Sequence, residues 1–365
     1  MRFKVKSFLL LTFLGVQLHA QENNSITTVA PFLNIVTDAR AAAMGDVGVA
    51  TSADGNSIFH NASKMVFHKS EGSLALNYTP WLRQLTDDIY IANLTYQQRI
   101  DERSAFGGGI KYFDYGTIEV TQEGSESTSD AQPYEFAIDA AYALKLSENY
   151  SMSVALRYTR ADLSITGTNI TDIEPTNGFA VDISGYYQSN EMAFDQFNGV
   201  VRGGFSISNL GPKVEVVSRE EFLPTNLKLG GGFDFIFDDY NQIGLTLEFT
   251  KLLVPSVGGE DENFISGALK SFGDAEEGFS EELQEVTLGF GAEYLYNNAF
   301  AFRAGYFKEN ENKGNRNFLT FGAGFKASAF KVDLSYLLSN ASVNNPLDRT
   351  LRISFTFDFG DSYEF

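Results

Sequence analysis

Cysteine is absent from this 365-residue chain, which removes disulfides, thiolate metal sites and cysteine nucleophiles together. Histidine is nearly absent: beyond the apolar N-terminal stretch only His60 and His68 remain. Neither has carboxylates at the spacing of a metal site or a catalytic triad. No Gly-x-Ser-x-Gly elbow occurs, so a lipase reading has no nucleophile. Gly45-x-x-Gly48 and Gly322-x-Gly324 are glycine-rich, yet neither falls at a strand-to-helix turn, where backbone N–H groups would face a phosphate. Both read as structural glycines. Positive charge is scarce, with 27 Lys and Arg against 47 Asp and Glu, so there is no basic footprint for nucleic acid. No stretch reaches the ~20 apolar residues of a spanning helix. Proline numbers only 8, whereas Phe (33), Tyr (17) and Gly (33) are plentiful. That mixture suits strands greased on one face only, although a soluble β-sandwich shares it.

The first twenty residues have the form of an export signal. Arg2, Lys4 and Lys6 precede an apolar core from Phe8 to Val16, and Leu18-His19-Ala20 offers a small-residue cleavage site. Removing residues 1–20 takes away three basic and no acidic residues, so the formal net charge moves from −20 to −23. The chain ends on the opposite signal. Leu351, Ile353, Phe355, Phe357 and Phe359 alternate with Arg352, Ser354, Thr356 and Asp358, and Phe365 closes the sequence. A side-chain period of two gives this segment one apolar and one polar face, as in the last strand of an outer-membrane barrel.

The same alternation recurs from residue 71 onward. It predicts strands near 72–80, 88–99, 103–115, 134–146, 150–162, 178–188, 199–210, 225–237, 241–252, 284–296, 299–308, 317–327, 330–339 and 350–360. Fourteen is an even number, which closes a barrel with both chain ends on one side of a membrane. Short turns at Asp101-Glu102, Ser147-Glu148-Asn149, Asp238-Asp239-Tyr240, Asn297-Asn298 and Ser328-Ala329 alternate with long links. Short inner turns and long surface loops are the arrangement of bacterial barrels. The exception is 189–198, too long for an inner turn. The expectation is an all-β, 14-stranded antiparallel transmembrane barrel over 71–365, behind a signal peptide (1–20) and a small N-terminal plug segment (21–70).

Inward positions carry both signs of charge, including Asp139, Arg157, Arg202, Asp234, Glu293 and Arg303. These side chains either line a solute path or form a salt-bridge lattice across the wall, and their balanced signs favour the lattice. Glycines recur in strands at 107–109, 230–232, Gly289/Gly291 and Gly322/Gly324, marking bulges or close approach of another backbone. Residues 21–70 lack the strand period. Within them 31–45 reads as a short helix stopped by Gly45, and the segment either plugs the lumen or extends from it.

The longest predicted surface loop, 253–283, holds two kinds of residue. Glu260, Asp261, Glu262, Asp274, Glu276, Glu277, Glu281 and Glu282 make it acidic. Oxygen ligands suit calcium, but the spacing is not that of an EF-hand and plain solvation suffices. Leu253, Val254, Val257, Phe264, Ile265, Leu269, Phe272 and Phe279 make the same loop apolar. Such residues either fold onto the loop itself or bind a partner. Trp81, the single tryptophan, stands at the first surface turn and reads as an interface anchor at headgroup depth.

One segment carries a family resemblance. Asp38-Ala-Arg40, Met44-Gly45, Val49-Ala-Thr51 before Asp54, and the run through Asn61, preceded by Pro31 and Phe32, resemble the N-terminal signature of FadL-type outer-membrane barrels. More narrowly they resemble the PorV family of the type IX secretion system. Asn61-Ala62-Ser63-Lys64 departs from the Asn-Pro-Ala common in FadL-type chains, so no role for that proline carries over. The resemblance implies a non-enzymatic outer-membrane protein without cofactor or metal. Its expected partners are the large translocon barrel, cargo proteins bearing a C-terminal signal domain, a sortase-containing attachment complex and outer-membrane lipids. Residues 253–283 and then 116–133 are the expected partner loops. The alternative is a FadL-like transporter of long-chain fatty acids or other hydrophobic compounds, which would need an apolar path past the plug.

Overall fold

The two-residue alternation closes on itself. In the computed structural model the described residues are 26–83, 86–121, 128–164, 174–216, 219–259, 261–276, 278–339 and 348–362. The signal segment, Glu260, Glu277 and Phe365 lie outside them. The wall consists of β1 (Ser70–Pro80), β2 (Tyr90–Arg99), β3 (Ser104–Asp114), β4 (Tyr134–Lys145), β5 (Tyr150–Asp162), β6 (Thr176–Gln188) and β7 (Asn198–Leu210). It continues through β8 (Asn226–Ile236), β9 (Asn241–Leu252), β10 (Val286–Tyr296), β11 (Phe300–Lys308), β12 (Asn317–Ala327), β13 (Phe330–Ser339) and β14 (Leu351–Ser362). Each strand pairs antiparallel with its sequence neighbours, and β14 returns to β1 with Leu76 opposite Phe355. No unpaired edge is left, which a sheet in hydrocarbon requires.

Burial alternates along the strands, but in the reverse of a soluble sheet. Outward Leu74, Leu76 and Tyr78 are exposed, while inward Ser73, Asn77 and Thr79 are fully buried. This is a wall greased on the outside around a polar interior. Inner turns are tight: Asn297 and Asn298 both take positive φ, which two-residue hairpins demand. The long 189–198 link is explained by Met192–Ala193, which pairs with Asn198 and Gly199 and prolongs the sheet beneath β7. There Phe194 and Phe197 stack on each other and meet the Phe233 ring at steep angles.

Residues 26–69 fill the lumen. The single helix expected over 31–45 is instead a 3-10 turn at Pro31–Asn34 and a one-turn helix α1 (Ala39–Ala42). The break has a local cause: extended Asp38 caps α1 by accepting from the Ala41 N–H at 2.8 Å. A second turn, α2 (Ser57–His60), and a 3-10 segment (Ala62–Phe67) follow. The plug runs from the outer mouth, where Val29 bonds the Phe222 carbonyl, to the inner rim, where His68 lies 3.6 Å from Asp358. No described helix is long and apolar enough to cross a membrane. The strands do so.

Candidate functional site

The plug is fastened to the wall by buried charge. Arg40, on α1, donates to both Glu293 oxygens (3.0 and 2.7 Å), to Asp54 (2.8 Å) and to the Ser52 carbonyl and hydroxyl. Arg303 then links Glu293 to Asp333. Glu248 receives the Gly48 and Val49 N–H groups at 2.7 and 2.8 Å, and Arg202 bridges the Ala50 carbonyl to Asp234. Asp38 also holds His60 at 2.6 Å. Asn61 donates to the carbonyls of Val49 and of Gly185 in β6. Among the inward charges, Arg157 pairs with Asp139 and Asp182, Lys228 with Glu248, and Lys326 with Asp358. The salt-bridge lattice is therefore the correct reading of the mixed signs, and a buried charge held by several partners is one that cannot be removed cheaply.

Contact with the wall is also steric. Gly45 has φ +72°, and a Cβ there would lie 2.5 Å from the Tyr306 carbonyl oxygen. A Cβ on Gly291 would meet Met44 at 2.6 Å, and one on Gly305 would enter the plug backbone at Gly45. These strand glycines mark the close approach of a second backbone, one of the readings open from the sequence. Phe32 is buried against Phe113, and Pro31 opens its 3-10 turn at the edge of the outer cavity. The signature residues Pro31, Phe32, Asp38, Arg40, Met44, Gly45, Asp54 and Asn61 thus all belong to the plug and its contacts.

Sequence reasoning missed two lysines. Lys64 is fully buried and donates to the Gly48 carbonyl and the Thr51 hydroxyl. Lys111, on β3, donates to the carbonyls of Phe32, Leu33 and Ile35. The only signal for Lys111 was its inward parity, since the carbonyls it serves are invisible in a sequence.

Trp81 corrects an expectation. It does not anchor the barrel at headgroup depth but turns inward, its ring 5.9 Å from Phe113, within the apolar group that includes Phe32 and Ile91. Leu82, at φ +51°, makes the turn that directs it there. Trp81 closes the plug's outer end.

Above the plug lies a cavity of about 290 Å³ between the plug and β8–β11. Its lining mixes Val36, Val47, Leu252 and Phe307 with Asp46, Lys228, Glu248, Glu285, Glu309, Lys313 and Arg316. Such a surface is poorly suited to a hydrocarbon chain, because the pairs Lys228–Glu248, Lys313–Glu285 and Arg316–Glu309 face it and would lose their remaining water to an apolar occupant.

The β9–β10 loop sits over this mouth and has two faces. Its helix α3 (Phe264–Lys270) is capped by Asn263, which accepts from Ile265 and Ser266 N–H groups. Leu253, Val254, Gly267 and Ala268 are buried, with Gly267 close against the Phe222 ring. Phe264 is half-buried. The other face is bare: Val257, Ile265, Leu269, Phe272, Phe279 and Leu283 are exposed, Leu269 to 70% and Phe279 to 76%. Of the loop residues singled out from sequence, Leu253 and Val254 are thus packing residues, Phe264 lies between the faces, and Val257, Ile265, Leu269, Phe272 and Phe279 supply the open face.

Helix α4 (Phe279–Gln284) is held at the rim by two lysines. Lys251 bonds Glu282 (2.9 Å) and Glu285 (2.6 Å); Lys313 bonds Glu281 (2.6 Å) and Glu285 (3.2 Å). Asp274, Glu282 and Glu285 converge, but these ammonium groups already neutralise the cluster. Burial pushes Lys313 down, yet Glu281 and Glu285 outweigh it and hold its ammonium above the ordinary range. Burial likewise raises the Glu282 carboxyl, and bonding to Lys251 overrides that and lowers it.

A closed antiparallel wall with an internal plug and polar lumen defines an outer-membrane β-barrel of the FadL-like type. Solved structures agree on the fold. The chain matches the TodX deltaS2S3 mutant monoaromatic hydrocarbon channel at 12% identity and TM-score 0.52, covering 88% of this chain and 98% of that one. It matches the CymD monoaromatic hydrocarbon channel at 13% and 0.51, covering 90% and 99%. With the Ralstonia pickettii toluene transporter TbuX the figures are 13%, 0.50, 90% and 99%. Among curated protein sequences no match was found. The family model "Type IX secretion system protein PorV" matches residues 18–258, more than half of the chain, and this protein belongs to that family. It is an outer-membrane component of the type IX secretion system.

Proposed function

We propose that this barrel is a non-enzymatic shuttle. It binds secreted cargo carrying a C-terminal signal domain at the large translocon barrel and passes it to the surface attachment complex that contains the sortase. The observation that supports this most is the bare apolar face of the β9–β10 loop, ordered by α3, α4 and two lysines, above a lumen closed by its plug. An apolar surface kept rigid and exposed pays its ordering cost before a partner arrives, which favours binding.

The alternative, uptake of long-chain fatty acids or other hydrophobic compounds, draws on the neighbours, whose names describe hydrocarbon channels and a toluene transporter. The charged cavity lining speaks against it. Deleting residues 258–280 is expected to leave a heat-modifiable, folded barrel in the outer membrane while signal-bearing cargo fails to be secreted. Normal secretion by that variant, with impaired oleate uptake, would transfer the assignment to transport.

A further inference from the structure

Tyrosine is unevenly placed on the outer rim. Each of the first five strands carries one near its outer end, facing outward: Tyr78, Tyr90, Tyr112, Tyr134 and Tyr158. Their rings form a contact chain: Tyr78 to Tyr90 at 5.6 Å, Tyr90 to Tyr112 at 6.3 Å, Tyr112 to Tyr134 at 5.9 Å. Phe136 carries the chain on to Tyr158. Elsewhere on this rim tyrosine occurs singly, as Tyr306 between Phe290 and Leu319 and Tyr336 between Phe321 and Leu351. A general aromatic belt serves the whole circumference of a barrel. It does not explain tyrosines on five consecutive strands with aliphatic side chains such as Leu229 and Leu338 exposed on the rest.

Polar groups sit just above the rings on the same outward parity. Asp114 ends β3, Arg160 and Asp162 end β5, and Asn177 begins β6. The Tyr158 hydroxyl donates to the Asn177 side-chain oxygen at 2.7 Å, and Arg160 donates to that oxygen at 3.2 Å. One guanidinium between two carboxylates is no cationic cluster, so a phosphate is not what this patch selects. A sugar ring is. Its C–H face stacks on an aromatic ring, and its hydroxyls bond carboxylate, amide, guanidinium and phenol groups, which are the groups arrayed here. We infer that the tyrosine arc on β1–β5 binds the saccharide headgroup of an outer-leaflet glycolipid. The arc lies on the strands away from β9–β10, so the bound glycolipid fixes the barrel's lipid-facing side and leaves the loop side turned toward protein.

The test reconstitutes the full-length barrel into nanodiscs of phosphatidylethanolamine containing lipopolysaccharide with its core oligosaccharide as the probe. Native mass spectrometry counts the glycolipid retained. A variant combining Tyr90→Phe, Tyr112→Phe, Tyr134→Phe, Tyr158→Phe and Arg160→Gln keeps every ring, and heat-modifiable mobility verifies its fold. Losing several modest hydrogen bonds predicts about tenfold weaker retention. Tyr142→Phe, Tyr187→Phe and Tyr296→Phe at the inner rim should change nothing. The inference is overturned if the arc variant retains as much as the parent or if the inner variant loses as much. Equal retention by the parent of lipopolysaccharide stripped of its core sugars also overturns it.

Discussion

The plug-to-wall contact and the β9–β10 loop differ in what they leave without a partner. Inside, an arginine has five bonds and a glycine admits a neighbour's backbone. Outside, phenylalanines and leucines lie bare, and a whole helix depends on two lysines. The rim lysines are buried with their carboxylates, as Arg40 is with its own, so the two regions differ in the apolar side chains left bare around the rim charges and not in the charges themselves. The difference teaches that the plug is fixed to the wall while the rim keeps an apolar surface open, and that surface is where the proposed partners would dock.

The comparison breaks most readily at Arg40. Arg40→Ala strands Glu293 and Asp54 inside the barrel, and removing one side of a buried ion pair costs roughly 3–5 kcal/mol. The expected outcome is a lower urea midpoint for the heat-modifiable folded band, with loss of cargo secretion following from low barrel abundance. If Arg40→Ala retains parental stability, the plug is not anchored by charge. A smaller effect is expected at Gly305. A side chain there must displace the plug turn at Met44–Gly45, and overpacking of this kind costs about 1–3 kcal/mol. Gly305→Val should lower the same midpoint, whereas Gly273→Val, with open space around its backbone, should not. Equal shifts in the two variants would remove the steric half of the argument.

The wall was legible because its physics is periodic. Each strand repeats one rule every two residues, so its limits were readable to within a few residues from Met152, Val154 and Leu156 or from Leu288, Phe290 and Ala292 alone. The plug was legible only as a place where that rule stops. Its signature residues were recognisable, but their partners on the wall lie far off in sequence, 124 positions for Asn61 on Gly185 and 315 for the Ala39 N–H on Ser354. No local pattern encodes such pairings. Trp81 shows the same limit: an aromatic at a surface turn reads as an interface anchor until the plug's Phe32 and the wall's Phe113 are seen to draw it inward. In the loop, composition announced both acid and grease, yet only the fold separates buried Val254 from exposed Phe279.

The smallest effect should appear as a pH window on the loop. Glu282 is depressed in the folded state, so its contribution is complete above the ordinary carboxylate range near 4.3 and is lost as pH falls through its lowered value. Lys313 is elevated, so its contribution is complete below the ordinary lysine value near 10.4 and is lost as pH rises through its raised one. The rim lysines should therefore hold α4 across the range between these limits and release it on either side. Limited proteolysis at 271–285 reads this directly, since cleavage needs the backbone to open. Protection should be flat near neutrality and fall at both extremes, and Lys313→Gln, which takes a partner from both Glu281 and Glu285, should cost about 1 kcal/mol of it. The wall's own resistance should not move over the same range. Should loop and wall lose protection together, the two regions share one cooperative unit and the contrast between a fixed lumen and an exchangeable rim is wrong.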